Sequence, residues 1–295
     1  MFSRMFRSTR SSDRRPQPVR PVRDSTLARA IAADAIGVQF QPQIDPQSGA
    51  VLGVEALARW DGCDGAEQLF ARAAAARLDE RLSRSIQRKA IRAVAAWTGL
   101  LANLGLSLNA LPADLARPTY VAWLLGELKQ AGLDPARLTI EIVESALLLD
   151  AATIAERLTT LRAAGIRIAI DDFGTGYSNL AYLTSLPLDA LKIDRAMVAD
   201  IVGGSRDRIV VKAMIGLARE LGLDVIVEGV ETSAQLALLA DWGCDRYQGF
   251  LGAGSLDEPA LARFVAAANR PPARRLGGFE RFLTFADRNH AHQPA

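Results

Sequence analysis

The chain has 295 residues, of which 49% are hydrophobic and 23% charged, ample for one large core in the size range of a (βα) barrel, about 250 residues. Its net charge of +2 is uneven: residues 1–26 carry seven Arg and two Asp, so the remainder stands at −3, which excludes a reader of duplex nucleic acid, whose folded domain bears a basic patch. Cys63 and Cys244 are the only cysteines, too few for a disulfide framework, so a reducing compartment, the cytoplasm, is expected.

Residues 1–24 are rich in Arg, Ser and Pro, lack apolar periodicity, and read as a disordered arm. They lack the apolar stretch of a signal peptide. A solvated leader is the plainer expectation, with weak contact to an anionic membrane or a partner as the alternative. The folded body is expected over 25–269. Residues 270–295, opening Arg270-Pro271-Pro272, read as a flexible tail. That tail holds both histidines, His290 and His292, so the body offers no imidazole for a catalytic triad or a zinc site.

Along the body, strand patterns fall near 38–44, 51–57, 105–109, 138–142, 166–171, 189–193, 224–228 and 245–248. Helical periodicity falls near 67–97, 113–131, 151–164, 177–185, 206–221, 232–241 and 257–268. Alternation of this kind predicts an α/β fold, either a closed barrel or an open doubly wound sheet. The first two strands are joined by Asp45-Pro46-Gln47-Ser48-Gly49, a turn too short for a crossover helix. An antiparallel hairpin is therefore expected, giving a modified TIM (βα)8 barrel with an antiparallel strand at its start. Ala93 to Ala113 holds no charge over 21 residues, long enough to span a bilayer. Gly99, Asn103, Gly105, Asn109 and Pro112 divide it into helix end, turn, strand and loop, so no transmembrane segment is expected.

Five apolar runs end in an acid or an amide: at Asn109, Glu141, Asp171-Asp172, Asp194 and Glu228. The steps between these ends are 32, 30, 23 and 34 residues, close to one strand-plus-helix unit of about 30 residues. A charge is costly to bury alone, so polar tips at one end of several strands predict a shared cation. Oxygen donors without sulfur or imidazole favour Mg²⁺ or Mn²⁺. Asp171 and Asp172 can share one site only where their strand ends, because successive strand residues face opposite ways. Lys192 lies two residues before Asp194, on the same face if the strand continues. Such a lysine either holds developing negative charge beside an activated water or forms an ordinary ion pair with Asp194.

The run Val54-Glu55-Ala56-Leu57-Ala58-Arg59-Trp60 resembles the signature of the EAL-domain cyclic-di-GMP phosphodiesterases. Specificity comes from the segments that accompany it in order: Phe40-Gln41-Pro42, Asn109, Glu141-Ile142-Val143-Glu144, Asp171-Asp172-Phe173-Gly174-Thr175-Gly176-Tyr177-Ser178, Leu191-Lys192-Ile193-Asp194-Arg195, Val227-Glu228-Gly229-Val230-Glu231-Thr232 and Tyr247-Gln248-Gly249. The resemblance runs from about Gln39 to Val265. It implies metal-dependent hydrolysis of cyclic di-GMP to linear pGpG, with two Mg²⁺ or Mn²⁺ per active site. It implies that Glu55, Asn109, Glu141 and Asp171 hold one cation, and that Asp171, Asp172 and Glu228 serve the second or its water. By the same resemblance Glu228 is the general base, Lys192 positions the water, and Asp194 supports from just behind. Gln41, Leu57, Arg59 and Gln248 would touch substrate. Glu144 would tether the loop after Asp172, through which a homodimer would form. A cyclic-di-GMP receptor without turnover is the alternative.

Three segments depart from the family pattern. Residues 61–65 are shorter than the usual loop and lack its His-Pro. The helix through Ala71-Arg72-Ala73 lacks the usual acids. Gly254-Ser255 stands where a Lys-Pro pair is usual. All three lie around the expected substrate mouth.

Overall fold

At the first turn Asp45 folds the chain back on itself: its carboxylate accepts from Gln47 N at 2.8 Å and Ser48 Oγ at 2.7 Å, its own N–H donates to Ala50 O at 2.9 Å, and Gly49 supplies the φ of 73° that closes the turn. The computed structural model describes residues 23–144, 151–174 and 180–269. The strands are β1 Gly37–Ile44, β2 Val51–Arg59, β3 Gly105–Ala110, β4 Leu138–Val143, β5 Arg167–Phe173, β6 Ala190–Ile193, β7 Asp224–Val227 and β8 Arg246–Tyr247. They close into one barrel in the order β1 to β8. β1 is antiparallel to both neighbours, β2 and β8, and the pairs β2·β3 to β7·β8 are parallel. The fold is thus the modified barrel rather than the open sheet.

The outward faces of the strands carry the core. Leu106, Leu108, Ile140, Ile142, Ile168 and Ile170 are buried against the surrounding helices, each contributing about 1.5–3 kcal/mol of transfer free energy. The lumen faces alternate with them and hold the polar residues.

Two helices expected as single pieces are broken. The stretch 67–97 forms Ala66–Ala75 and Asp79–Ala96. The first of these ends with Arg77 at φ 56°, while Arg77 N donates to Ala74 O and Leu78 N to Ala73 O, the bonding pattern that ordinarily recruits glycine. The stretch 113–131 forms Pro112–Ala116 and Tyr120–Ala131. Pro118 separates them by holding Arg117 extended, at ψ 125°. A helix not anticipated, Ser25–Ala32, precedes the barrel, with Asp24 accepting from Leu27 N at 2.9 Å and pairing with Arg72 at 2.8 Å. The helix expected at 177–185 runs Ala181–Ser185. The arm through residue 22, the tail from residue 270 and the loop residues 175–179 lie outside the described residues. Among the described residues no helix is long and apolar enough to cross a membrane; the uncharged stretch from Ala93 divides at Trp97 and becomes β3.

Candidate active site

Parallel pairing sets the depth of each polar tip. Asn109 registers with Glu141, and Val143 with Asp171. Ala190 stands one pleat below Lys192 on the same face, and with Ala169 and Ile226 it forms a small apolar floor. Above that floor Lys192 is 0% exposed and Glu141 1%.

Lys192 Nζ is ringed by carboxylates: Glu141 Oε2 at 2.6 Å, Glu228 Oε1 at 2.7 Å, Asp171 Oδ2 at 3.1 Å and Glu55 Oε2 at 3.6 Å. Two amides lock the ring. Asn109 Nδ2 donates to Glu55 Oε1 at 2.7 Å, and Gln248 Nε2 donates to Glu55 Oε2 at 2.7 Å and Glu228 Oε1 at 3.0 Å. Asn109 is held in turn by the buried Gln87, whose Nε2 donates to Asn109 O at 3.0 Å and whose Oε1 accepts from Tyr120 OH at 3.2 Å.

One ammonium does not balance four carboxylates, and the titrations bear the strain. Burial, reinforced by Glu55 and Asp171, pushes the Glu141 carboxyl well above the usual range against the pull of Lys192. Burial likewise pushes Glu228 up to about 7, with Lys192 opposing and Asp171 and Glu55 adding. Glu55 goes the other way: burial raises it, but the Lys192 charge and the bonds from Gln248 and Asn109 outweigh that and hold it below its ordinary value. Lys192 stays charged because the surrounding acids overcome its burial.

Glu141 Oε1 is buried with no hydrogen-bond partner, an arrangement that costs about 1–3 kcal/mol, more for a charge, unless a cation or water meets it. Among the described residues no three acidic, His or Cys side chains converge as a ready cage; the acids are turned onto Lys192 instead. The oxygen-only donor set, the surplus negative charge and the bare Glu141 oxygen all fit a divalent cation entering beside Lys192.

The remaining expected residues fall around this ring. Asp172 adopts φ 56° where β5 ends, and its N–H donates to Asp171 Oδ1 at 2.9 Å. That left-handed turn breaks the strand alternation, and Asp172 feels burial, Asp171 and Asp194, which raise its carboxyl. Asp194 does not pair with Lys192. It accepts from Ala196 N at 2.8 Å and caps the short helix Arg195–Val198, because β6 ends at Ile193 and no longer holds the two side chains in alternation. Glu144 is buried at the end of β4; most of the loop it was expected to tether lies outside the described residues. Gln41 Nε2 donates to Ala253 O at 3.3 Å. Leu57 is half-buried on the lumen side of β2. Arg59 is bonded to Gln39, Ala58 O and Ser255. Gln248, expected to touch substrate, is buried, and its amide donates to Glu55 and Glu228.

Three residues here were not singled out from sequence, Gln39, Gln43 and Gln87, and Ser255 was marked only as a departure from the family pattern. Gln43 is buried and donates to Ser107 Oγ at 3.2 Å and Gln248 Oε1 at 3.4 Å. The signal for Gln39 and Gln43 was present, since glutamine at every second position of β1 lines one face of a strand.

The EAL domain family model matches residues 24–254. Cyclic di-GMP phosphodiesterase NbdA of Pseudomonas aeruginosa is 36% identical over 263 residues, which is 86% of this chain and 33% of that protein. Among solved structures, the PaMucR phosphodiesterase in complex with c-di-GMP superposes with a TM-score of 0.73 at 32% identity, over 80% of this chain and 99% of that one. Klebsiella pneumoniae BlrP1 in a manganese/cy-diGMP complex gives 0.68 at 32% identity, over 75% and 56%. The chain spans about a third of the length of the first curated relatives it matches.

Proposed function

The chain belongs to the EAL-domain family, and we propose that it is a divalent-metal-dependent phosphodiesterase that opens cyclic di-GMP to linear pGpG. The observation that carries this reading is the ring of four carboxylates from β2, β4, β5 and the end of β7, oversupplied with negative charge around one lysine.

On this reading Glu55, Asn109, Glu141 and Asp171 hold one Mg²⁺ or Mn²⁺, and Asp171, Asp172 and Glu228 serve a second. When bound, the cations activate water and neutralise phosphate charge. The chain's own residues do the rest. Glu228, with its carboxyl raised toward neutrality by burial, takes the proton of the attacking water. The water oxygen bonds to phosphorus, the bond from phosphorus to the ribose 3′ oxygen breaks, and that oxygen leaves as a hydroxyl by taking one proton from solvent, while the proton on Glu228 is later released to solvent. Lys192 holds the water and the developing charge from below. Arg59 pairs with phosphate at the mouth. Gln248 keeps Glu55 and Glu228 in register, and Asp194 fixes the turn behind Lys192. By family resemblance the protein works in the cytoplasm, as a homodimer through the loop after Asp172.

A receptor that binds without turnover is the second reading, favoured by the acids being turned onto Lys192 rather than round a common point. Incubating purified protein with cyclic di-GMP and Mg²⁺ or Mn²⁺, then separating the nucleotides, decides between them. The phosphodiesterase yields linear pGpG. The receptor retains the intact cyclic dinucleotide.

A further inference from the structure

Arg59 is held by three protein acceptors at the mouth. Its Nε donates to Gln39 Oε1 at 3.1 Å, its Nη1 to Ala58 O at 2.8 Å and its Nη2 to Ser255 Oγ at 2.6 Å. Ser255 Oγ donates to the same Gln39 Oε1 at 2.8 Å, so the three side chains close a triangle. A guanidinium has five N–H groups. Three are engaged, leaving one on each terminal nitrogen, a pair whose spacing suits the two free oxygens of a phosphodiester.

The frame behind the triangle is fixed by backbone. Leu256 exchanges both main-chain hydrogen bonds with Phe40, at 2.7 and 2.9 Å, and Ala253 O accepts from Gln41 Nε2 at 3.3 Å. One short segment, residues 253–256, therefore reaches β1 and reads out both Gln41 and Arg59. β2 presents Glu55, Leu57 and Arg59 on one face by its period of two, so the guanidinium stands on the same side as the acid ring. Ser255 occupies the place where the family resemblance expects a Lys-Pro pair. The usual pair would add a second, long-stemmed cation; the hydroxyl here instead immobilises the arginine already present.

We propose that Ser255, acting with Gln39, is a positioning residue that presets Arg59 for an anionic phosphodiester and so determines affinity for the substrate. This rests on the role given to Arg59 under Proposed function. Preorganisation lowers the ordering cost of binding without touching the reacting atoms, so its effect belongs in KM and Kd rather than in kcat.

The test compares the full chain with Ser255→Ala, Ser255→Thr, Arg59→Ala and the double variant Ser255→Ala/Arg59→Ala. Cyclic di-GMP binding is followed by calorimetry with Ca²⁺, and its hydrolysis by steady-state kinetics with Mg²⁺. Ser255→Ala is expected to raise Kd and KM about tenfold, equivalent to about 1.4 kcal/mol, with kcat within about twofold. Ser255→Thr, which keeps the hydroxyl, restores the unaltered values. In the Arg59→Ala background the loss of Ser255 adds nothing further. Unchanged Kd and KM in Ser255→Ala, an equal loss whether or not Arg59 is present, or a fall in kcat alone would each overturn the proposal. Binding by the unaltered chain with no effect of Ser255→Ala sinks the proposal and spares the function; no binding by the unaltered chain sinks both.

Discussion

Glu141 Oε2 accepts from Lys192 Nζ at 2.6 Å, while its Oε1 is buried with no hydrogen-bond donor. The two residues come from strands separated by β5, and their pairing is set by register rather than by a local motif. It leaves one carboxylate half satisfied in a buried lumen. The lysine stabilises the ring and is itself outnumbered by it. A divalent cation beside Lys192, as proposed, would meet the bare oxygen and reduce the surplus charge at once.

Lys192→Met removes the ammonium and leaves four acids facing each other. Breaking a buried ion pair by deleting one partner costs about 3–5 kcal/mol. Denaturant unfolding in EDTA is expected to show a loss of that order, and Mg²⁺ is expected to return part of it. A variant as stable as the unaltered protein in EDTA would contradict the role assigned to the lysine.

Glu55→Ala and Glu228→Gln remove the carboxylate proposed to face the cation and the proposed proton acceptor. Each is expected to lower the rate of cyclic di-GMP hydrolysis by at least ~10²-fold, measured as initial rates of pGpG release. Glu228→Gln keeps the size of the side chain, so its melting curve is expected to stay close to that of the unaltered protein while its rate falls.

Gly249→Ala tests the turn that carries Gln248. Gly249 has φ 153°, and a Cβ there would come within 2.3 Å of Val230 N and O, which no rotamer can relieve. The substitution is expected to destabilise by at least about 2 kcal/mol and to lower activity by displacing the Gln248 amide. Equal melting temperatures for the two proteins would rule this out.

Glu127 receives Arg88 Nη2 at 2.7 Å across the helices Asp79–Ala96 and Tyr120–Ala131, and the guanidinium hydrogen bond holds its carboxyl below the ordinary value. A depressed folded value means the unfolded chain binds protons more readily. The contribution is therefore complete above about pH 4.5 and lost as pH falls through the folded value. Because Arg88 is partly exposed, Glu127→Gln is expected to cost no more than about 1 kcal/mol at pH 7. The difference should shrink toward pH 3.5, as read by urea unfolding at the two pH values.

The barrel was legible because most strands are apolar runs closed by polar or turn residues, and Asp45 to Gly49 leaves no length for a crossover. The convergence of Asn109, Glu141, Asp171 and Glu228 followed from the common strand end, whereas Glu55, inside β2, was reached through the family resemblance and Lys192 through strand alternation. What was not legible depends on tertiary register or on a backbone choice without its usual residue. Arg77 ends a helix in a left-handed conformation with no glycine to announce it. Lys192 and Asp194 read as neighbours by alternation, but the strand stops between them. The bond from the Gln248 amide to Glu55, 193 positions away, is likewise set by tertiary register. Ser255 meets Arg59 across 196 positions, a contact no local pattern encodes.

The most direct measurement of the central claim, that the ring around Lys192 is a divalent-cation site, is a titration of the purified chain with Mn²⁺ followed by electron paramagnetic resonance, with and without cyclic di-GMP. Saturable binding that is lost in Glu141→Gln is the predicted result. A Mn²⁺ signal that stays free in both conditions, or one unaffected by Glu141→Gln, would contradict it.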